Sequence, residues 1–440
     1  MIHTGPGETT NGRRGTDSEL ERLQRLSFDY FLHETNPENG LVIDKTAADW
    51  PASIAATGFG LAAYPVAVER GFMPRPVAIE RTLATLRFFW NSPQGPEPDA
   101  TGYRGFYYHF LDMRTGRRAW QCELSTVDSA FLLAGALTTA AYFDADAAGE
   151  REIRALADKL YRRADWPWAQ DNGKSVTHGW KPETGCLKYR WKGYDEALLL
   201  YILGLGSPSL PLPESCYAAW TSTYRWEQCY GYEYLYAGPL FTHQLSHVWI
   251  DFRGIQDAFM REKGIDYFEN SRRATFVQQQ YAMDNPLKFA GYSRDCWGIT
   301  ASDGPGPDSI KLNGIERQFF DYRGRGVPYG PDDGTVAPWA VVTSLPFAPE
   351  IVLPTIDHCV NGLKLTESNP YGFKATFNPT YPTKSSTTCG WVSPWHYGLN
   401  QGPIILMIEN FRTGLLWRLM RNCPSIARGL RRAGFQGGWL

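Results

Sequence analysis

The chain of 440 residues contains no apolar run of about 18 residues, so no segment reads as a membrane-spanning helix. Neither charge is in excess. Forty-four Lys and Arg stand against 46 Asp and Glu, with no basic stripe or acidic tail, which argues against nucleic acid or an anionic membrane and points to a neutral ligand. The eight cysteines are scattered without a CxxC pair, so neither a zinc site nor a disulfide framework is indicated, and structural thiols are the reading. No GxSxG elbow, P-loop or GxGxxG between strand and helix is present, which removes the common signatures of acyl transfer and nucleotide binding. The first 31 residues are polar and turn-rich, without the apolar core of a secretion signal. As written, the chain is expected in the cytoplasm; one trimmed of its leader, and so periplasmic or secreted, would read the same.

What the chain has in abundance is rings: 16 Trp, 24 Tyr and 23 Phe, 14% of all residues. Many lie among polar neighbours, as in "YRGFYYHF" (103–110), "RADWPWAQ" (163–170), "RWEQCYGYEYLY" (225–236) and "WVSPWHYGLN" (391–400). Singly, each such cluster is as well explained by core and rim packing. Together they suit stacking against sugar rings.

Helical periodicity dominates the rest, with helices predicted at about 53–71, 76–91, 126–147, 149–164, 194–204, 214–222, 239–262, 266–284, 334–346 and 403–434. Residues 1–16 read as a disordered lead, and a Thr or Asp cap opens a helix after it. Between the helices run long loops, 92–106, 171–190, 300–333 and 366–400, rich in Gly, Pro and Asp; loops of that length in a compact chain are usually functional or disordered. The expectation is one all-α domain over residues 17–440, and an (α/α)6 barrel with cleft-forming loops fits the helix count.

Four positions stand out as candidate catalytic groups. Glu196 and its neighbour Asp195 precede the apolar run "ALLLYILGLG", where burial against Trp191 and Tyr194 would raise a carboxyl pKa as a general acid requires. The opposing reading is an acidic residue favoured by a helix N-terminus. Asp128 in "CELSTVDSAFLLAGAL", five residues after Glu123, is a second carboxyl, although Ser125 or Asp128 could simply cap the helix. Asp303 follows a tryptophan in "CWGITASDGPGP", where an Asp suits either a turn or a sugar hydroxyl. His243 and His247 are four apart in "THQLSHVWIDFRG", a spacing that shares one helix face, but a zinc site would want a third ligand and a glutamate where Gln244 stands. With Asp251 and Arg253 they read as a polar network bracing a cleft or contacting hydroxyls. Trp180, Tyr194, Trp297 and Trp391 complete the candidate sugar platforms.

Several blocks then resemble, in order, the glucoamylase-like domain family, and within it the β-1,2-glucanases of glycoside hydrolase family 144. They include "STVDSAFLLAGALTTAAYFD" (125–144), "HGWKPETGCLKYRWKGYDEALLLYILGLGSPSLPLP" (178–213), "FTHQLSHVWIDFRG" (241–254), "DGTVAPWAVVTSLPFAPE" (333–350) and "LNQGPIILMIENFRTGLLWRLMRNCPSI" (399–426). The resemblance implies an (α/α)6 barrel hydrolysing β-1,2-glucan or its oligosaccharides without a required metal or other cofactor. It makes the family's general acid, the glutamate before the apolar helix, Glu196 here. Just before the "QGPI" block the family pattern has an aspartate and this chain has Asn400. An amide accepts no proton at neutral pH, so the inverting base falls to Asp128 or, after it, Asp303. Two other readings stay open: a retaining β-1,2-glucan transglycosylase, and a carbohydrate-binding protein on a decayed hydrolase scaffold.

Overall fold

The computed structural model describes residues 10–384 and 388–440, with side chains from residue 17 onward. Residues 1–9 of the expected lead lie outside the described residues, while the backbone from residue 10 already belongs to the first helix. Among the described residues there are fifteen α-helices. They are α1 (Thr10–His33), α2 (Ile54–Glu69), α3 (Arg75–Asn91), α4 (Thr126–Tyr142), α5 (Ala148–Arg163), α6 (Trp166–Gln170), α7 (Leu198–Gly206), α8 (Glu214–Thr221), α9 (Ala258–Lys263), α10 (Tyr267–Asp284), α11 (Pro338–Thr343), α12 (Pro349–Asp357), α13 (Gly398–Arg412), α14 (Leu415–Arg421) and α15 (Pro424–Arg432).

Burial sorts these segments into two layers. All nine residues of α7 and every residue of α2 from Ile54 to Ala67 are buried, as are nearly all of α4, α11 and α13. A helix that is apolar on every side is stable only with protein all round it. These five helices, with two 3-10 turns at Leu240–His243 and Leu245–Val248, make a closed inner ring in which α2 packs on α4 and α13, α4 on α7, and α13 on α11 and the second turn. The outer helices are amphipathic: α5 buries Ile153, Leu156, Ala157, Leu160 and Tyr161 and leaves its charged residues largely outside. The architecture is the expected (α/α)6 toroid.

Glycines set the closest approaches in the ring. A Cβ on Gly58 of α2 would lie 2.4 Å from the Phe131 carbonyl oxygen of α4, and one on Gly135 of α4 would lie 2.1 Å from the Gly58 carbonyl oxygen. The same device joins α7 to α15, where a Cβ on Gly429 would meet the Ile202 carbonyl oxygen at 1.9 Å. Backbone cannot yield as a flexible side chain does, so these helices touch at a distance only glycine allows.

Two predicted helices are broken. The segment 239–262 is two 3-10 turns and a loop before α9, because its polar side chains bond to neighbouring elements. Gln244 donates to Ala340 O (2.6 Å) and Ser344 Oγ (2.7 Å), and Ser246 Oγ accepts from Leu199 N (3.1 Å). Gly414, with φ 69°, and Pro424, at the first turn of α15, divide 403–434 into three. The long loops carry short antiparallel strands. Five of them form one sheet in the order Gly102–Tyr103, Phe106–Tyr108, Leu124–Ser125, Gly179–Lys181 and Gly185–Cys186.

Replacing Gly58 or Gly135 by Ala is expected to lower stability by roughly 1–3 kcal/mol through overpacking. Chemical denaturation would measure it, and an unchanged midpoint for both variants would show that the ring can open without loss.

Candidate active site

The inner helices start at the same end of the toroid, and a cavity of about 350 Å³ lies among their first turns. Ser125, Asp128 and Phe131 reach it from the start of α4, Glu196 from the residues just before α7, Trp339 from α11, and Leu399 and Asn400 from α13. The 3-10 turns contribute Phe241 and Leu245, and the loops His109, Glu123, His178, Trp191 and Tyr322.

Ser125 caps α4: its Oγ accepts from Asp128 N (3.3 Å) and bonds the Asp128 carboxyl in a short contact, so the capping reading and a place in the cavity hold for the same pair. His109 bridges two more acids, with Nδ1 2.8 Å from Glu123 Oε1 and Nε2 3.7 Å from Asp128 Oδ2. Burial alone would depress the imidazole, but the charge of Asp128, the hydrogen bond and charge of Glu123 and the charge of Asp44 outweigh it and raise the pKa to about 9. His109 is therefore a cation at neutral pH.

Glu196 behaves in the opposite sense to a dipole-stabilised cap. Burial, opposed by a backbone hydrogen bond and aided by the charge of Asp128, lifts its pKa to about 7. Its neighbour Asp195 turns to the protein, accepting from Ala197 N (3.0 Å) and Trp220 Nε1 (2.9 Å), and is also raised by burial and by Glu196. Asp44, which accepts from Trp50 Nε1 (3.1 Å), is raised to about 6, chiefly by burial. Tyr322 is 54% exposed at the cavity mouth, with its hydroxyl within electrostatic reach of Asp44, Asp128, Glu196 and Asp303; desolvation of the hydroxyl first and these charges next raise its pKa and keep it a neutral donor amid carboxyls.

The structure thus brings Glu196, Asp128 and Asn400 to one cavity. Asp303 stands beside it, near Tyr322, with its carboxyl accepting from Ser393 Oγ (2.6 Å). The nominated binding residues lie elsewhere. His243 and His247 are buried in the core, their Nε2 atoms engaged by Ala237 O (3.2 Å) and Ser271 Oγ (3.0 Å), and burial depresses their pKa values to about 4 and about 3. They also occupy 3-10 turns rather than one face of an α-helix. Asp251 is buried in ion pairs with Arg253 and Arg421, while Arg253 lies over Trp417, 4.5 Å from the ring centroid. Trp297 is fully buried and donates to Thr355 Oγ1 (2.9 Å); Tyr194 packs against Tyr224, His243 and Tyr267. Trp180 packs on Tyr103 and Trp168, and Trp391 sits in a two-stranded ribbon with Phe377–Asn378; neither reaches the cavity. Trp297 and Tyr194 thus complete the core, whereas Trp180 and Trp391 are half-buried outside the cavity.

The rings that do face the cavity are Trp191, stacked on His178 with centroids 3.7 Å apart at 15°, together with Trp339, Phe241, Phe131 and Tyr322. Trp191 is fixed by its indole N–H, which donates to Thr126 Oγ1 (3.0 Å). His109, Asp44, Tyr322 and Trp339 went unnoticed in the sequence because each stands on a loop or helix end with no spacing that ties it to the others.

A helical toroid with a raised-pKa carboxyl and a second carboxyl lining one cavity walled by rings is an arrangement that suits the acid chemistry of a glycoside hydrolase. Comparison with known proteins agrees: residues 188–424 match the Glycoamylase family model, "Putative glucoamylase", and the chain belongs to that family. The crystal structure of a protein of the same description from Bacteroides uniformis ATCC 8492 is 30% identical with a TM-score of 0.85, over 99% of this chain and 100% of that one. An endo-β-1,2-glucanase from Chitinophaga pinensis, solved with sophorotriose and glucose, is 25% identical with a TM-score of 0.82, over 97% of this chain and 99% of that one. The exo β-1,2-glucooligosaccharide sophorohydrolase (non-reducing end) of Parabacteroides distasonis is 27% identical over 95% of this chain, which spans 58% of that protein's length.

A carboxyl whose pKa rises on folding binds protons more tightly in the folded than in the unfolded chain, so stability falls as pH rises from its ordinary value near 4.5 through about 7. Glu196→Gln removes that term. The variant is expected to match the parent in Tm at pH 4 and to exceed it at pH 8, and equal Tm values at both would show that Glu196 is not held in an unfavourable ionised state.

Proposed function

We propose that the protein hydrolyses β-1,2-linked glucose chains or oligosaccharides by inversion, with Glu196 as general acid. The observation that carries this reading is the Glu196 carboxyl, held half-buried at the cavity with a pKa of about 7, so that a large fraction stays protonated at neutral pH. It protonates the glycosidic oxygen as the C–O bond breaks. Asp128 is the opposing carboxyl that takes the proton of the attacking water, directly or through a hydroxyl; Ser125 fixes its rotamer, and the His109 cation beside it offsets its charge. Asn400 has no basic oxygen for this step and serves as a hydrogen-bond partner for hydroxyls. Trp191, Trp339 and Phe241 supply faces for the sugar rings. The β-1,2 linkage is supported by the Chitinophaga protein, an endo-β-1,2-glucanase, and the Parabacteroides protein, an exo β-1,2-glucooligosaccharide sophorohydrolase.

The test is to incubate the protein with linear β-1,2-glucan and short β-1,2-glucooligosaccharides and follow products and anomers by NMR. The parent should release reducing ends with the α-anomer first. Glu196→Gln should lose on the order of 10²–10⁴-fold in kcat, and Asp128→Asn should also fail while Asp303→Asn keeps more of the activity. Because the acid must be protonated, kcat should fall as pH rises through about 7. Turnover unaffected by Glu196→Gln sinks the assignment, and longer or cyclic products with retained β-configuration would make the protein a transglycosylase.

A further inference from the structure

Beside His109 the wall of the cavity continues outward into rings that the proposed hydrolysis does not use. Trp120 is 57% exposed, the most exposed tryptophan among the large hydrophobic side chains of the described residues. It stands where two successive non-glycine residues, Trp120 (φ 53°) and Gln121 (φ 51°), are held in the left-handed region, a conformation that persists only where the surroundings over-determine it. Its indole meets Trp50 at 4.7 Å and 75° and Phe110 at 5.2 Å and 60°, so both neighbours brace it at an angle and neither stacks face to face on it. Phe110 in turn lies flat on His109, with centroids 4.1 Å apart at 10°. Rings therefore run without a break from the cavity wall to solvent.

Polar groups of both signs accompany this path. The Lys45 ammonium lies 3.9 Å from the centroid of Trp50, whose N–H donates to Asp44. A solvent-facing indole whose bracing tryptophan carries an ammonium on its face and a carboxylate at its N–H matches a pyranose, which offers an apolar C–H face and a rim of hydroxyls.

We infer that Trp120, braced by Trp50 and Phe110, is a distal subsite that stacks one sugar ring of a chain whose scissile linkage lies in the cavity. The inference rests on the proposed glucan hydrolysis and deepens it, because it makes chain length a determinant of rate.

The test compares the parent, Trp120→Ala and Trp120→Phe across β-1,2-glucooligosaccharides of increasing length. For the parent, kcat/KM should rise with length until the subsite is filled. Trp120→Ala should lose about tenfold of that gain on long chains, an aromatic contact's worth, and match the parent on the shortest hydrolysed substrate, while Trp120→Phe keeps most of it. Equal loss at every length would make Trp120 a support of the cavity, and no loss at any length would remove it from the substrate path; either overturns the inference. A readout independent of turnover is a titration of Glu196→Gln, with and without Trp120→Ala, by the same oligosaccharides and by cellooligosaccharides, following tryptophan fluorescence. If the parent hydrolyses no glucan, the proposed function fails, and the titration alone decides the subsite. Tighter binding of long than short chains that vanishes with Trp120→Ala upholds it, and affinities indifferent to length or to Trp120 overturn it.

Discussion

A helix buried on all sides can hold an ionisable group only at its end. That constraint organises this molecule. The inner helices α2, α4, α7 and α11 are apolar through their bodies, the hydroxyls they carry, such as Thr138 and Ser129, return to carbonyls of the preceding turn, and α13 keeps its buried Glu409 in the last turn, paired with Arg70 at 2.7 Å. Closing these helices into a ring brings their first turns together, and the acids displaced from the helix bodies meet there. Two effects compete at such a place. The helix dipole favours a negative charge by about 0.3–1 kcal/mol at an exposed N-terminus, whereas the move of Glu196 from 4.5 to about 7 corresponds to roughly 3 kcal/mol against the charge. Burial prevails because Glu196 precedes the helix: Ala197 is the cap of α7, and no side chain closes that first turn.

The loops then act on the acids from outside the ring, and a buried ionic contact holds the pose of one of them. Arg325 and Asp333 are both fully buried and paired at 2.8 Å, and the guanidinium also donates to the carbonyls of Ser302 (2.7 Å), Phe320 (3.0 Å) and Asp321 (3.1 Å). One side chain thereby ties together the stretch that carries Asp303 and Tyr322. Breaking a pair of this kind leaves a bare buried charge and costs about 3–5 kcal/mol, which is why a long Gly- and Pro-rich loop holds a single shape. His109 has a comparable role, approaching both Glu123 and Asp128.

The helical body was legible in the sequence because all-round apolarity and amphipathic periodicity have direct physical meaning; α2, α3, α5, α8 and α10 start and stop within two residues of their predicted bounds. The raised pKa of Glu196 was legible for the same reason, in an acid set against an apolar run. His243 and His247 misled because a polar pair in an apolar context reads equally as a site or as a satisfied core network, and only the partners Ala237 O and Ser271 Oγ distinguish the two. Trp297 misled likewise, since its single N–H is satisfied by Thr355 inside the core. His109 and Tyr322, 213 positions apart by number, become neighbours of the same acids only through the closure of the ring.

Asn400 takes its meaning from this crowding. Asp44, Asp128, Glu196 and Asp303 lie within reach of one hydroxyl, and His109 is a cation set beside two of them, Asp44 and Asp128. A carboxylate at position 400 would add a further negative charge to a cavity in which the Asp128 charge already raises the Glu196 pKa, and would act on it in the same direction. An amide occupies the same volume at the start of α13 and still offers a donor and an acceptor to hydroxyls. On the proposed mechanism the exchange therefore separates two functions: the charge that receives the water's proton resides on Asp128 alone, next to its compensating cation, and the position on α13 keeps the geometry of a polar contact without the electrostatic penalty.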